Sequence, residues 1–259
     1  MQPIYVAGIS LLHRLHPLTK LAGFLLVVMV AFVLPILAVQ LLVLFCIAIS
    51  AALAGVLWRV VRLSLVILLP LLVSLFVIQG LLFPPTREMV LFATPQFTVW
   101  ADGFVFASSV LLRLLLLTWS VLLLLITTHP ADLVTALGSI GMPRTVGYVL
   151  LVAIQLVPDM SARATAILEV QRSRGLNTDG PVRRIRALVP LIGPLVVGAL
   201  VDVEERAMAL ESRAFTSSGP KTTLRELADS GAQRVARVVL VLLAVMVVVA
   251  RFTVLRGVL

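Results

Sequence analysis

Of the 259 residues, 61% are hydrophobic and 13% charged, with a mean hydropathy of +1.14 and a formal net charge of +9. Soluble domains average roughly 45–50% apolar and about 25% charged residues, so a water-soluble domain is excluded and the chain is an integral membrane protein. An excess of 21 Lys and Arg over 12 Asp and Glu points to a cytoplasmic membrane face rather than to nucleic acid, and the single cysteine, Cys46, excludes an internal disulfide.

No residue from Leu21 to Trp58 is charged. A spanning helix takes about 20 apolar residues, so this run holds two helices, with Pro35 where a tight reversal would divide them. The run begins only after Lys20 and is far longer than the ~7–15 residues of a signal-peptide core, so the first helix is expected to stay in the protein. Cys46, between Phe45 and Ile47, is expected to be an inert thiol, buried or facing lipid. A third uncharged run between Arg62 and Arg87 contains Pro70, which is expected to kink a helix rather than end it, and closes on Pro84-Pro85. From Thr94 to Trp100 polar and apolar residues alternate after a proline, which predicts a short extended excursion outside the membrane, with Trp100 and Phe104 at the interface. Gly103 to Thr127 reads as a fourth span, interrupted only by Arg113. An ionisable side chain inside a span costs on the order of 2.5–3.5 kcal/mol on insertion scales, so Arg113 is expected to bond carbonyls or a neighbouring helix rather than a substrate.

Between Arg144 and Arg237 the composition changes, with 13 of the 21 cations and 9 of the 12 acids. Ala131 to Leu137 starts a helix after Thr128-His129-Pro130. Arg144 to Arg174 is expected to be helical, interrupted by Pro158, with Asp159 and Arg163 spaced for an i,i+4 pair and a stop at Gly175. Leu200 to Ala214 puts Leu200, Val203, Ala207 and Leu210 on one stripe. The uncharged stretch Ala187 to Val201, about 22 Å long as a helix, is short for a crossing and is expected to be buried or interfacial. Val238 to Leu255 is the last span, with Arg251 able to snorkel. The organisation expected is a bundle of about four helices over residues 1–130, a charged cytoplasmic-side helical domain over 131–236, and a terminal spanning helix over 237–259. Arg14 and Lys20 before the first span, an uncharged first turn, and Arg59 with Arg62 after the second place the amino terminus in the cytoplasm. Five spans then leave the carboxyl terminus outside.

One echo stands out: Gln171-Arg172-Ser173-Arg174-Gly175-Leu176 and Leu210-Glu211-Ser212-Arg213-Ala214-Phe215, with Ser173 and Ser212 39 positions apart. Both place Ser-Arg-small-apolar at the end of an amphipathic helix. Small neighbours admit a close approach, and Arg offers a planar fork to carboxylates or carbonyls. Either arginine alone would be read as complementing its helix dipole; the matched pair points to two similar partners.

The pair resembles the two Ala-Arg-Gly signatures of the T component of energy-coupling factor (ECF) transporters, the membrane scaffold of vitamin and transition-metal importers. Further matches follow in order: Leu12-His13-Arg14-Leu15-His16-Pro17-Leu18-Thr19-Lys20, Arg113-Leu114-Leu115-Leu116, Thr128-His129-Pro130-Ala131-Asp132-Leu133 and Gly141-Met142-Pro143. Ser173 and Ser212 stand where Ala is usual in the family, and Ala214 replaces the second Gly, leaving that helix without its preferred left-handed residue. The resemblance implies an all-α polytopic protein of a prokaryotic cell membrane, with about five transmembrane helices plus amphipathic cytoplasmic coupling helices. It implies docking of two ABC ATPase subunits through Arg174 and Arg213, with Ser173, Gly175, Ser212 and Ala214 as close-approach neighbours. It also implies a small membrane-embedded substrate-binding partner, the S component, and a subunit with no catalytic residues, cofactor or metal of its own.

The remaining patterns agree with that division of labour. Ser218-Gly219-Pro220-Lys221-Thr222 is no phosphate-binding loop, because Pro interrupts it and Ala214 stands where a Gly is required. His13 and His16 could share a helical face, but with His129 the only other histidine they are read as interface residues rather than metal ligands. The alternative is a conventional ABC importer permease: Glu169, Gly175 and Ile185 fit part of its docking-loop spacing, but the Leu-Pro ending is displaced to Val189-Pro190 and such a permease has one loop. An ion-coupled secondary carrier would need mid-span acids, which the first four spans lack.

Overall fold

The computed structural model describes residues 10–34, 36–79, 90–93, 98–176, 180, 189–215, 217, 219 and 228–256. The elements are α1 (Leu11–Arg14), α2 (Pro17–Val33), α3 (Leu37–Leu53), α4 (Leu57–Val77), β1 (Val90–Ala93), β2 (Thr98–Trp100), α5 (Ala101–Thr127), α6 (Pro130–Ser139), α7 (Arg144–Ser173), α8 (Val189–Ser212) and α9 (Gly231–Arg256). Apart from the antiparallel β1–β2 pair, which matches Val90 to Trp100 and Ala93 to Thr98 around an irregular step, the described chain is helical, as expected. It divides into a bundle unit, 1–140 with 227–259, and a second unit, 141–226.

The five expected spans correspond to α2, α3, α4, α5 and α9. By length and composition Leu57–Val77, Asp102–Thr127 and Gly231–Arg251 can each cross a bilayer, while α2 and α3 are apolar helices of 17 residues, at the lower limit for a crossing. Pro70 lies inside α4 and does not end it, as expected. The reversal at Pro35 and the Pro84-Pro85 close lie outside the described residues. Leu42, Phe45 and Val66 are 63%, 66% and 70% exposed, the reverse of a soluble core, because lipid rather than protein covers these faces. Cys46 is exposed beside Phe45, the lipid-facing alternative for its thiol.

Within the bundle, α5 packs against α2, α3 and α4. Leu116 is completely buried with Ala31 and Ile47, and a second cluster gathers Val60 and Ile126. Trp119, which borders both, donates from its indole to Ser64 Oγ at 3.1 Å, and that hydroxyl donates to the carbonyl of Val61. At the α2–α3 turn, buried Gln40 donates its amide to the carbonyls of Ala31 and Leu34, both at 3.3 Å.

In the second unit, three expectations change. Pro158 does not interrupt the helix: α7 runs unbroken for 30 residues, long and apolar enough by composition to cross a bilayer, with its charges, apart from Arg144 at its start, gathered after Val157. The charged helix expected over Leu200 to Ala214 starts earlier, at Val189, so the described part of the Ala187 to Val201 stretch is continuous with it in α8. Arg163 does not pair with Asp159 one turn away; its guanidinium reaches Asp202 of α8 at 3.0 Å. Tyr148 near the start of α7 packs against Phe215 past the end of α8, the ring centroids 5.3 Å apart and the planes tilted by 52°, while mid-helix Arg163 meets mid-helix Asp202. The two helices therefore run antiparallel. The expected apolar stripe of α8 is uncovered, with Leu200 and Val203 exposed.

Candidate functional site

The two Ser-Arg signatures terminate α7 and α8 in the same way. After α7, the Leu176 N–H donates to Gln171 O (3.0 Å) and Gly175 N–H to Arg172 O (2.9 Å); after α8, Phe215 N–H donates to Leu210 O (3.0 Å) and Ala214 N–H to Glu211 O (2.9 Å). Each is a Schellman ending, a six-to-one bond around a five-to-two bond, and it requires a left-handed residue between them. Gly175 takes φ +94° without cost, and Ala214 is forced to φ +52°. The hydroxyls fold back on their own helices, Ser173 Oγ to Glu169 O and Ser212 Oγ to Ala209 O, both at 3.0 Å. Ser173, Arg174, Gly175, Ser212, Arg213 and Ala214 are all exposed. Because the helices are antiparallel, the signatures are not brought together: they stand at opposite ends of the α7–α8 pair.

An alanine in the left-handed region costs about 1 kcal/mol. Ala214→Gly is therefore expected to stabilise the end of α8 by about that amount, slowing hydrogen exchange of the Phe215 amide about fivefold. Gly175→Ala should speed exchange at Leu176 by a similar factor, and equal rates in parent and variants would contradict the assigned strain.

Two motifs far apart in sequence meet at one end of the bundle. His16 caps α2 and His129 caps α6; each precedes a proline and accepts from the second residue beyond it, Leu18 N–H to His16 Nδ1 at 3.3 Å and Ala131 N–H to His129 Nδ1 at 3.2 Å. Proline supplies the helical φ at the first position and needs no acceptor, leaving the imidazole to satisfy the next amide. His16, Lys20, Thr128, His129 and Asp132 line one cavity of about 110 Å³. Lys20 Nζ donates to the carbonyl of Thr127, the last residue of α5, at 2.8 Å. The Ser230-x-x-Gln233 start of α9 resembles a capping box, but Gln233 Oε1 instead accepts from His16 N–H at 2.7 Å. His13 lies on α1, hydrogen-bonded to Ser10 Oγ, and so shares no helix with His16.

Burial pushes the His16 imidazole below its usual pKa, with Asp229 opposing and Arg237 adding to the shift. Asp229, bonded to Arg237 at 2.9 Å and Arg234 at 3.2 Å, feels a raising effect of desolvation, outweighed by these arginines and His16, so its carboxyl lies below the usual range. The fold favours the neutral His16 ring, whose contribution is whole above about pH 6.5 and is lost as pH falls through the depressed folded value. The Asp229 contribution is lost only at lower pH, below the ordinary carboxylate range. Thermal stability in detergent is expected to fall from pH 6.5 towards pH 5. His16→Asn, which keeps a capping acceptor without a titrating ring, should remove part of that fall; an unaltered profile would contradict the role of His16.

Arg113 meets a neighbouring helix, as expected: its guanidinium carbon lies 5.6 Å from the centroid of the Phe32 ring, in the last turn of α2. The ring face supplies a cation–π attraction away from bulk water.

Residues 8–224 match the family model of CbiQ, described as a cobalt transport protein. The chain is 33% identical to the energy-coupling factor transporter transmembrane protein EcfT of Leuconostoc gelidum subsp. gasicomitatum over 64% of its own length and 65% of that protein's. It is 30% identical to the EcfT protein of Bacillus subtilis, covering 93% of this chain and 94% of the relative, and 31% identical to that of Brevibacillus brevis, covering 94% and 95%. The duplicated helix endings, the apolar bundle and a family match across most of the length lead to one assignment: the chain belongs to the CbiQ family and is a multi-pass membrane protein, the transmembrane T component of an energy-coupling factor transporter.

Proposed function

We propose that this T component couples ATP hydrolysis by two ABC ATPase subunits to reorientation of a small S component that binds a vitamin or a transition-metal ion. Arg174 and Arg213 each dock one ATPase, with Ser173, Gly175, Ser212 and Ala214 as close-approach neighbours, and α7 and α8 are the coupling helices. The observation that carries this reading is the pair of identical Schellman endings, each presenting an exposed Arg, at opposite ends of two antiparallel helices. Such a pair has approximate two-fold symmetry, the symmetry of two like ATPases facing each other. The uncovered Leu200 and Val203 offer an apolar surface for the S component. The chain itself performs no chemistry.

The start of α2, the end of α5 and the start of α9 meet at one end of the bundle, through Lys20 with Thr127 and His16 with Gln233. With α2, α3, α4, α5 and α9 as the five crossings, that end is cytoplasmic, since it carries Lys20, Arg234 and Arg237, and the carboxyl terminus is outside. Affinity purification in mild detergent is expected to recover ATPase subunits together with a small hydrophobic protein. Recovery of a soluble substrate-binding protein instead would favour the conventional permease.

A further inference from the structure

Arg163 and Asp202 occupy equivalent places in the repeat. They are 39 residues apart, the separation of Ser173 and Ser212, and each lies 11 residues before the arginine that ends its helix, Arg174 or Arg213. The guanidinium donates to Asp202 at 3.0 and 3.3 Å. In two antiparallel helices related by a local two-fold axis, a contact between equivalent residues must lie on that axis. The pair is therefore equidistant from both helix ends, about 16 Å along each helix. Its side chains are 37% and 27% exposed, and an ion pair this accessible adds little to stability. What it does supply is a fixed point between helices whose neighbouring apolar residues are largely uncovered.

Gly198 makes that contact possible. It lies four residues before Asp202, on the same face of α8, and a Cβ there would stand 2.8 Å from Arg163 Nη1. The guanidinium runs against bare backbone to reach its partner. A methyl group would push this flexible end aside at little cost to folding, yet would remove it from Asp202.

We propose that the Arg163–Asp202 pair, seated on Gly198, is the pivot that sets the separation of the two arginine-bearing helix ends, a positioning role that rests on their docking to the ATPases. Nucleotide-driven movement of the two ATPases then turns α7 and α8 about this point instead of sliding them apart. The two levers are equal in length, so the displacement is shared equally between the ends.

The test uses the assembled transporter, purified with its ATPases, in a Cys46→Ser background. Spin labels are placed at Glu169→Cys and Met208→Cys, exposed equivalent positions six residues beyond the pivot. The parent should give one narrow distance distribution, on the order of 20–25 Å, that shifts when a non-hydrolysable ATP analogue and magnesium are added. Arg163→Gln and Gly198→Ala should each broaden the distribution at least twofold and abolish the nucleotide-dependent shift while retaining the ATPases. The exchange Arg163→Asp with Asp202→Arg should restore both features. Parent-like distances in either single variant, or a charge exchange that stays broad, overturn the pivot. Retention of the ATPases by a chain carrying Arg174→Glu and Arg213→Glu would instead overturn the docking reading, and the positioning role with it.

Discussion

Replacing Arg174 and Arg213 together with Glu is expected to abolish co-purification of the ATPase subunits while leaving expression and membrane insertion at parental levels. Both side chains are exposed and lie beyond the last residue of their helices. Folding should therefore be indifferent to the change. At an interface the same change removes a planar donor fork and places a carboxylate against groups chosen to accept from Arg. Loss of one partner of a buried charged contact costs about 2–5 kcal/mol. Two such losses amount to at least three decades in affinity, enough to empty a pull-down. The single variants should behave differently from the double one, because a subunit held at one end of the pair keeps the other close, and a two-handed attachment tolerates loss of one hand. Arg174→Lys with Arg213→Lys keeps the charge but loses the fork, and should retain ATPase at a reduced level. Undiminished recovery from the double Glu variant would remove the docking role from these residues.

The largest expected effect on stability lies at Leu116, which is completely buried between α2 and α3 in the middle of α5. Helices in a bilayer gain little from removing apolar surface from water, so their association depends on packing. Leu116→Ala opens a cavity where three helices meet, and its cost comes mainly from that void rather than from transfer. The lower end of the range for buried Leu truncations applies, about 2 kcal/mol. For a unit of this size such a loss lowers Tm by about 4–8 °C in detergent. Leu125→Ala, nine residues on along the same helix but 46% exposed, leaves no void and should lie within about 1–2 °C of the parent. Equal shifts in the two variants would contradict the assignment of Leu116 to the core.

Much of the bundle was legible because its signals are local. Long apolar runs, broken only by Arg113 in α5 and by Arg251 near the end of α9, mark α2 to α5 and α9 without reference to anything else in the chain. Pro70 lies inside α4 as its sequence setting predicts, whereas Pro158, expected to interrupt α7, leaves it unbroken. The same residue permits both outcomes, since a proline kinks or ends a helix according to whether its neighbours satisfy the freed carbonyl. Arg163 illustrates the limit more sharply. Its spacing from Asp159 satisfies the i,i+4 rule, yet a pair along one helix is worth only a few tenths of a kcal/mol. A carboxylate on α8, reached across a glycine, displaces it easily.

The duplicated signature was visible as residues and was then matched bond for bond. A Schellman ending involves only six consecutive positions, so a six-residue echo in sequence becomes the same hydrogen-bond pattern in space, even with Ala in place of Gly at 214. The cavity at the two His-Pro caps was not visible as one site. Both motifs were recognisable separately, but their meeting depends on the packing of four helices.

The sequence by itself therefore determined that the chain is a membrane protein, where its apolar helices lie and how its two charged helices end, because composition and short-range hydrogen bonding act within a few residues. Only the tertiary structure decided that α7 and α8 run antiparallel, that Arg163 chooses Asp202, and that His16 meets Gln233 across 217 residues. These are questions of which faces meet, and a helical face carries no mark of its partner until the whole bundle has packed.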